Sequence, residues 1–198
     1  MIRIGIGVEG PSDKAFWEKV LHRSFPDCLF NIVNLSGRIP LARTAPDVAE
    51  GVRNSGHAAA FFLLDADKLP CPLAVLNLFE KGFLKEAQRR PVSRRFAQIA
   101  VAFRELESWV LADDVCIREL LGCSDYKAPD REEKAAGKAK FLRLCRECNV
   151  ALGGLEDREV SSRAGSRFSP ARARKHSASF DHFWSRLSER IETARATK

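Results

Sequence analysis

Ile2-Arg3-Ile4-Gly5-Ile6-Gly7-Val8-Glu9-Gly10-Pro11-Ser12-Asp13-Lys14-Ala15-Phe16-Trp17 begins as an apolar run, meets an acid at Glu9, turns at Gly10-Pro11 and enters a helix. A second run, Ala58-Ala59-Ala60-Phe61-Phe62-Leu63-Leu64-Asp65-Ala66-Asp67-Lys68, is apolar until it too ends in carboxylates. Strands that are apolar throughout are those buried on both faces, as in a parallel sheet covered by helices. Acids that follow such strands lie at the carboxyl edge of an open α/β sheet, where ligands bind.

Outward from these two runs the pattern alternates. Ser12 reads as an N-cap, with Asp13 in the first helical turn where acids favour the helix dipole. Phe16, Val20 and Leu21 then recur at helical spacing to about Arg23. Leu29 to Leu35 reads as a second strand, Ser36-Gly37-Arg38 as a turn, and Ala45 to Asn54 as a helix stopped near Gly56. Leu73 to Arg89 reads as a helix after Pro70 and Pro72, and Ala97 to Ala102 as the fourth strand. Arg104-Glu105-Leu106-Glu107-Ser108-Trp109 then turns into a helix through Leu111. The order βαβαβαβα predicts an α/β domain over 1–113, with a parallel sheet flanked by helices.

From 114 to 198 the reading is a helical carboxyl-terminal region. Val115 to Leu121 ends at Gly122, and Lys134 to Cys148 forms a longer helix. A last amphipathic helix runs from Ser177 to Ala194, and its stripe of Phe180, Phe183, Trp184 and Leu187 is a packing face. Asn149 to Lys175 shows no period and reads as a loop.

With 45% hydrophobic and 30% charged residues over 198 positions, the chain has material for a sizeable core. It contains no run of about 18 uncharged apolar residues, so no membrane span is expected. The amino terminus lacks a signal-peptide apolar region, and a cytoplasmic location is expected. Among the six cysteines only Cys145 and Cys148 form a CxxC. A zinc site takes four ligands, so the cysteines read as reduced core or surface thiols. The net charge is +7, and from Arg158 to Lys175 six basic residues face one acid. Arg163, Arg167, Arg172, Arg174 and Lys175 therefore either hold a nucleic-acid backbone or decorate a solvated loop.

Glu9, Asp13, Asp65 and Asp67 carry the chemistry. Residues i and i+2 of a strand point to one face, so Asp65 and Asp67 aim the same way if the strand continues. Clustered carboxylates repel one another unless a cation neutralises them. Hard oxygen ligands suit Mg²⁺ or Mn²⁺, and two such ions serve phosphodiester cleavage. A literal GxGxxG at Gly5, Gly7 and Gly10 offers a rival reading, an NADP-dependent reductase with Ser36 and Arg38 near a 2′-phosphate. Against it stand Glu9, whose charge would face the pyrophosphate, and Pro11, which sits where a helix should already run.

Val8-Glu9-Gly10-Pro11-Ser12-Asp13 resembles the first motif of Toprim domains, and Leu64-Asp65-Ala66-Asp67 resembles their DxD motif. An acid four residues after the strand-end glutamate is closer to the OLD-family Toprim nucleases than to topoisomerases. Glu105-Leu106-Glu107-Ser108-Trp109-Val110-Leu111-Ala112-Asp113 is similar to a feature of small stand-alone Toprim-like proteins, often encoded beside ATPases in bacterial defence loci. The resemblance covers about residues 1–113 and implies Mg²⁺-dependent cleavage or rejoining of phosphodiester bonds. It implies Glu9 as metal ligand or general base, Asp13, Asp65 and Asp67 as metal ligands, and Glu107, or else Glu105, at a second metal position. Lys68 and Lys14 are the nearest candidates for an assisting cation. The only tyrosine, Tyr126, lies in the helical region, away from the place a strand-breaking nucleophile would need. OLD proteins fuse an ATPase to the Toprim domain; this chain has none, so a separate partner ATPase or independent action is expected. The other reading of the same residues is a non-catalytic module that binds nucleic acid or an ATPase.

Overall fold

The computed structural model describes residues 1–36, 38–66, 75–77, 80–81, 96–102, 105–130, 137–150, 155 and 157–197, with the side chains of 38–43 outside the description. Four strands, β1 (Ile2–Val8), β2 (Cys28–Asn34), β3 (Ala59–Asp65) and β4 (Ala97–Ala102), form one sheet in the order β2-β1-β3-β4. Every pairing is parallel, with Ile4 opposite Ala59 and Asp65 opposite Ala102. The helices are α1 (Pro11–Ser24), α2 (Arg38–Asn54), α3 (Leu106–Leu111), α4 (Asp114–Leu121), α5 (Gly137–Glu147), α6 (Arg158–Arg167), α7 (Pro170–Ala173) and α8 (Ala178–Ala196). This is the expected α/β parallel sheet flanked by helices, with a helical carboxyl-terminal extension. Among the described residues no helix is long and apolar enough to cross a membrane.

The period of two sorts β3 between two apolar layers. In β3, Ala59, Phe61 and Leu63 face a large core shared with α1, α3, α4, α5, α6 and α8. Ala60, Phe62 and Leu64 face a smaller one with Ala45, Ala49 and Val52 of α2. Both faces being covered is why the run carries no polar residue before Asp65. The glycines of the GxGxxG lie inside this packing. A Cβ on Gly5 would stand 2.6 Å from Val52, and one on Gly7 would stand 2.6 Å from the Phe62 ring. Gly5 and Gly7 let α2 and a neighbouring aromatic approach β1 and lie within the strand, while Gly10 alone follows it, as the cap of α1, so the three do not form a phosphate loop and the reductase reading loses its motif.

Several boundaries are corrected. Gly10, not Ser12, is the N-cap of α1, with Pro11 in the first turn; the fixed φ of proline suits that position and its missing N–H costs nothing there. α2 begins at Arg38, before the expected Ala45. Of the helix expected over 73–89, residues 75–77 and 80–81 are helical and the rest lies outside the described residues. The stretch 149–175, expected to be a loop, contains α6 and α7. Its period is concealed because α6 is so polar, with Val160, Ser161, Ala164 and Gly165 as its buried residues. Such small side chains carry little hydropathic signal, yet they permit close approach: a Cβ on Gly165 would stand 2.5 Å from the Phe16 carbonyl oxygen of α1.

The cysteines also differ from expectation. Cys148 is joined to Cys123 in a disulfide, so the CxxC partner is not its bonding partner. Cys28, Cys116 and Cys145 are buried thiols. Spacing along the chain could not show that Cys123, just past α4, and Cys148, just past α5, meet.

The stripe on α8 packs as expected. Phe180, Phe183 and Trp184 join Trp17 of α1 and Trp109 of α3, with the Trp109 and Phe183 rings stacked 5.6 Å apart. The Trp109 indole N–H donates to Ser179 Oγ at 2.7 Å, as a buried indole requires. One apolar cluster thus runs from β1 to α8, through both the 1–113 and the 114–198 stretches.

Candidate functional site

The sheet order places a crevice. From β1 the chain passes through α1 to β2 on one side, whereas β3 and β4 lie on the other. Connections leaving neighbouring strands in opposite directions open a gap at their carboxyl ends, the usual ligand position in such sheets. Glu9 stands at the end of β1 and Asp65 at the end of β3. The Asp65 N–H donates to Glu9 Oε1 at 2.9 Å, so a backbone donor fixes the glutamate across the gap.

Around this bond lies a cleft of about 320 Å³ lined by Glu9, Ser12, Asp13, Asp65, Glu105, Glu107 and Lys138, among others. Asp13 is in the first turn of α1 and turns back, so that the Gly10 N–H donates to its Oδ2 at 2.9 Å. Burial raises its pKa, while the Gly10 and Glu9 N–H groups pull it down. The short α3 brings Glu107 in from the opposite wall. Its carboxyl is buried, 6% exposed, and its pKa is raised to about 7 by burial, with Glu105 and Asp13 adding repulsion and Lys138 opposing. Glu105 has a structural partner: its Oε2 accepts the Lys138 N–H at 2.7 Å at the start of α5. Gly137, at φ +49, makes this possible, since a Cβ there would collide with the Glu105 carboxylate.

The expected site is therefore assembled in part. Glu9, Asp13, Asp65 and Glu107 come to one cleft; Asp67 and Lys68 lie outside the described residues. Lys14 is paired along α1 with Glu18 at 3.9 Å. Sequence reasoning missed Lys138, which belongs to the helical region and reaches the cleft only through α5. A Gly-Lys pair opening a helix was its one local signal. Ser108 beside Glu107 is buried with its hydroxyl unpartnered among the described residues.

The donors fit a hard divalent ion in chemistry: carboxylate oxygens, gathered where burial, with Glu105 and Asp13 adding repulsion, raises the pKa of Glu107 to about 7. Their spacing fits less well. Among the described residues no three acids, histidines or cysteines stand close enough to hold one ion.

The basic segment divides. Arg163 and Lys175 are exposed, and Arg167 donates to the Arg163 carbonyl at 3.1 Å. Arg172 donates from Nε to Asp113 Oδ1 at 2.6 Å and from Nη2 to Oδ2 at 3.1 Å. Asp113 is fully buried, caps α4 by accepting the Cys116 N–H, and also accepts the Ser169 N–H. Arg174 pairs with Asp181 and donates to Ser185 Oγ. So Arg172 and Arg174 hold α7 to its neighbours, while Arg163, Arg167 and Lys175 offer charge to solvent.

Fold and cleft together define an α/β protein with a four-stranded parallel sheet and acids gathered at its strand ends. The chain belongs to the family DUF4276, described as a domain of unknown function, whose model matches residues 8–188. No curated protein matches it. Among solved structures it is similar to the C-terminal region of the Burkholderia pseudomallei OLD protein, with 17% identity, a TM-score of 0.48, and coverage of 93% of this chain and 98% of that one.

Proposed function

We propose that the protein is a divalent-metal-dependent nuclease that hydrolyses phosphodiester bonds of DNA or RNA. The observation that supports this is the cleft at the ends of β1 and β3, where Glu9, Asp13, Asp65 and Glu107 converge. Glu9, Asp13, Asp65, Asp67 and Glu107 would hold Mg²⁺ or Mn²⁺, with Glu9, Asp65 and Asp67 as the catalytic set. When bound, the ion supplies Lewis-acid polarisation of the phosphoryl group and neutralises the crowded acids. The Asp65 N–H keeps Glu9 in place, which a general base needs. Glu107, titrating near neutrality, is able to give or take a proton at the pH of the cell. Lys138 adds a positive charge for the phosphate. Arg163, Arg167 and Lys175 would hold the nucleic-acid backbone, giving salt-dependent binding. Control by a separate ATPase, and a place in bacterial defence, rest on the motif resemblance alone.

Calorimetry with Mn²⁺ and Mg²⁺, beside cleavage assays on plasmid DNA and on RNA, tests the proposal. Saturable binding and metal-dependent cleavage are expected for the parent, and both should disappear in Glu9→Ala and in Asp65→Ala with Asp67→Ala. Variants that cut as well as the parent would sink the site assignment. A second reading, a non-catalytic module that binds nucleic acid or an ATPase, draws on the absence of a ready three-ligand group among the described residues. Nucleic-acid binding by the parent with no cation binding and no cleavage would favour it.

A further inference from the structure

Helix α5 is held at both ends. At its amino end the Lys138 N–H is bonded to Glu105, and Lys138 forms part of the cleft wall. At its carboxyl end Cys148 is tied to Cys123, which follows the Gly122 cap of α4. A helix is a stiff rod rising about 1.5 Å per residue, so a restraint on Cys148 is felt at Lys138. Between its two ends α5 is anchored by Phe141, Leu144 and Cys145.

The disulfide is within reach of a reductant. Cys123 and Cys148 both line an open depression of about 540 Å³, together with Tyr126, Lys140 and Leu144. Cys145, one turn before Cys148, is buried, and burial pushes its thiol up, so it stays protonated and does not compete. Both bonded sulfurs follow the carboxyl ends of helices, where the dipole opposes a thiolate. Each is thus a slow leaving group, and a reductant whose second thiol completes the exchange internally has the advantage over a monothiol. In the reducing compartment expected from the sequence, disulfides are mostly transient or redox-sensing.

We propose that Cys123–Cys148 is a thiol–disulfide exchange site for a dithiol reductant, and that its reduction releases α5 and loosens the Glu105–Lys138 wall of the acid cleft. The consequence for cation binding rests on the metal-site reading above; the release of α5 does not. In the exchange, one thiolate of the dithiol attacks Cys148 Sγ. The sulfur–sulfur bond breaks, and Cys123 leaves with the electron pair and takes up a proton. The second thiol, deprotonated, attacks the mixed disulfide; Cys148 leaves and is protonated, and the reductant departs as its own disulfide. Two electrons and two protons pass from reductant to protein.

Hydrogen exchange on the full chain, prepared under oxidising conditions, reads the Lys138 amide before and after dithiothreitol, while alkylation counts free thiols. The amide is expected to exchange about tenfold faster or more after reduction, to recover on reoxidation, and to be fast in Cys148→Ser under either condition. Unchanged exchange with Cys123 and Cys148 both alkylated overturns the proposal, as does alkylation of both before any reduction. Mn²⁺ calorimetry on the same samples separates the two claims. A faster Lys138 amide with no Mn²⁺ binding in either redox state upholds the release of α5 and removes the metal-site reading; Mn²⁺ binding without acceleration does the reverse.

Discussion

Glu107 lies in the first turn of α3 with its carboxyl buried beside Glu105 and Asp13, which moves its pKa from 4.5 to about 7. The folded state therefore holds a proton that the unfolded chain releases, and stability falls as pH rises from about 4.5 to about 7. Below that window the carboxyl is neutral in both states and costs nothing; above it the full penalty of burying a charge applies. Glu107→Gln should then stabilise the protein by about 3 kcal/mol at pH 8 and change little at pH 5, as read from urea midpoints. A cation favours the ionised form, so Mn²⁺ should narrow the difference at pH 8. Equal midpoint shifts at both pH values would show that Glu107 is an ordinary exposed acid. Asp113 is also fully buried, and it accepts from Arg172 and from the Cys116 and Ser169 N–H groups. Arg172→Ala removes one of them while the Cys116 and Ser169 N–H groups remain, so unfolding should be easier by about 2 kcal/mol. A variant of unaltered stability that binds nucleic acid more weakly would return Arg172 to the nucleic-acid surface.

At the scale of elements, the crossing of α1 and α6 sets how the carboxyl-terminal region meets the sheet. The contact depends on Gly165, where any side chain would press on the Phe16 backbone, with Lys19 Cβ also close. Backbone does not yield as a flexible side chain does, so the helices must separate. Gly165→Ala should cost about 2 kcal/mol or more, measured by thermal or urea unfolding. A neutral result would mean that the helices slide apart freely. Asp13 illustrates how one residue serves two ends here: it accepts the Gly10 N–H at the head of α1 and also lines the cleft. Its replacement therefore touches both the helix cap and any bound cation.

For the whole molecule, the two stretches that the sequence separates at residue 113 share one apolar cluster. Phe16, Trp17 and Trp109 lie against Phe168, Phe180 and Phe183. A fragment covering 1–113 would leave those aromatic faces in water and should fail to fold cooperatively, with broad unfolding and binding of an apolar dye. A sharp two-state transition for that fragment would show the α/β part to be an independent unit.

The run from Ala58 and the parallel sheet it implies were legible because burial on both faces leaves no room for polar residues. The run from Ile2, apolar but for the exposed Arg3, was legible with it, as was the acid that ends each. Helix α8 was legible because its large aromatics recur at helical spacing. The meeting of Glu9, Asp13 and Asp65 followed from strand-end positions, which depend on chain order and sheet topology. What remained was decided by contacts between residues far apart in sequence. Helix α6 packs through glycine, alanine and serine, which carry almost no hydropathic signal, and its partners α1 and α4 explain them. Cys148 is brought to Cys123 because α4 and α5 both pack on α3, not by its CxxC neighbour. Lys138 reaches the acids because α5 folds back over α3, and Glu107 owes its proton near neutrality to burial, which exists only in the folded molecule.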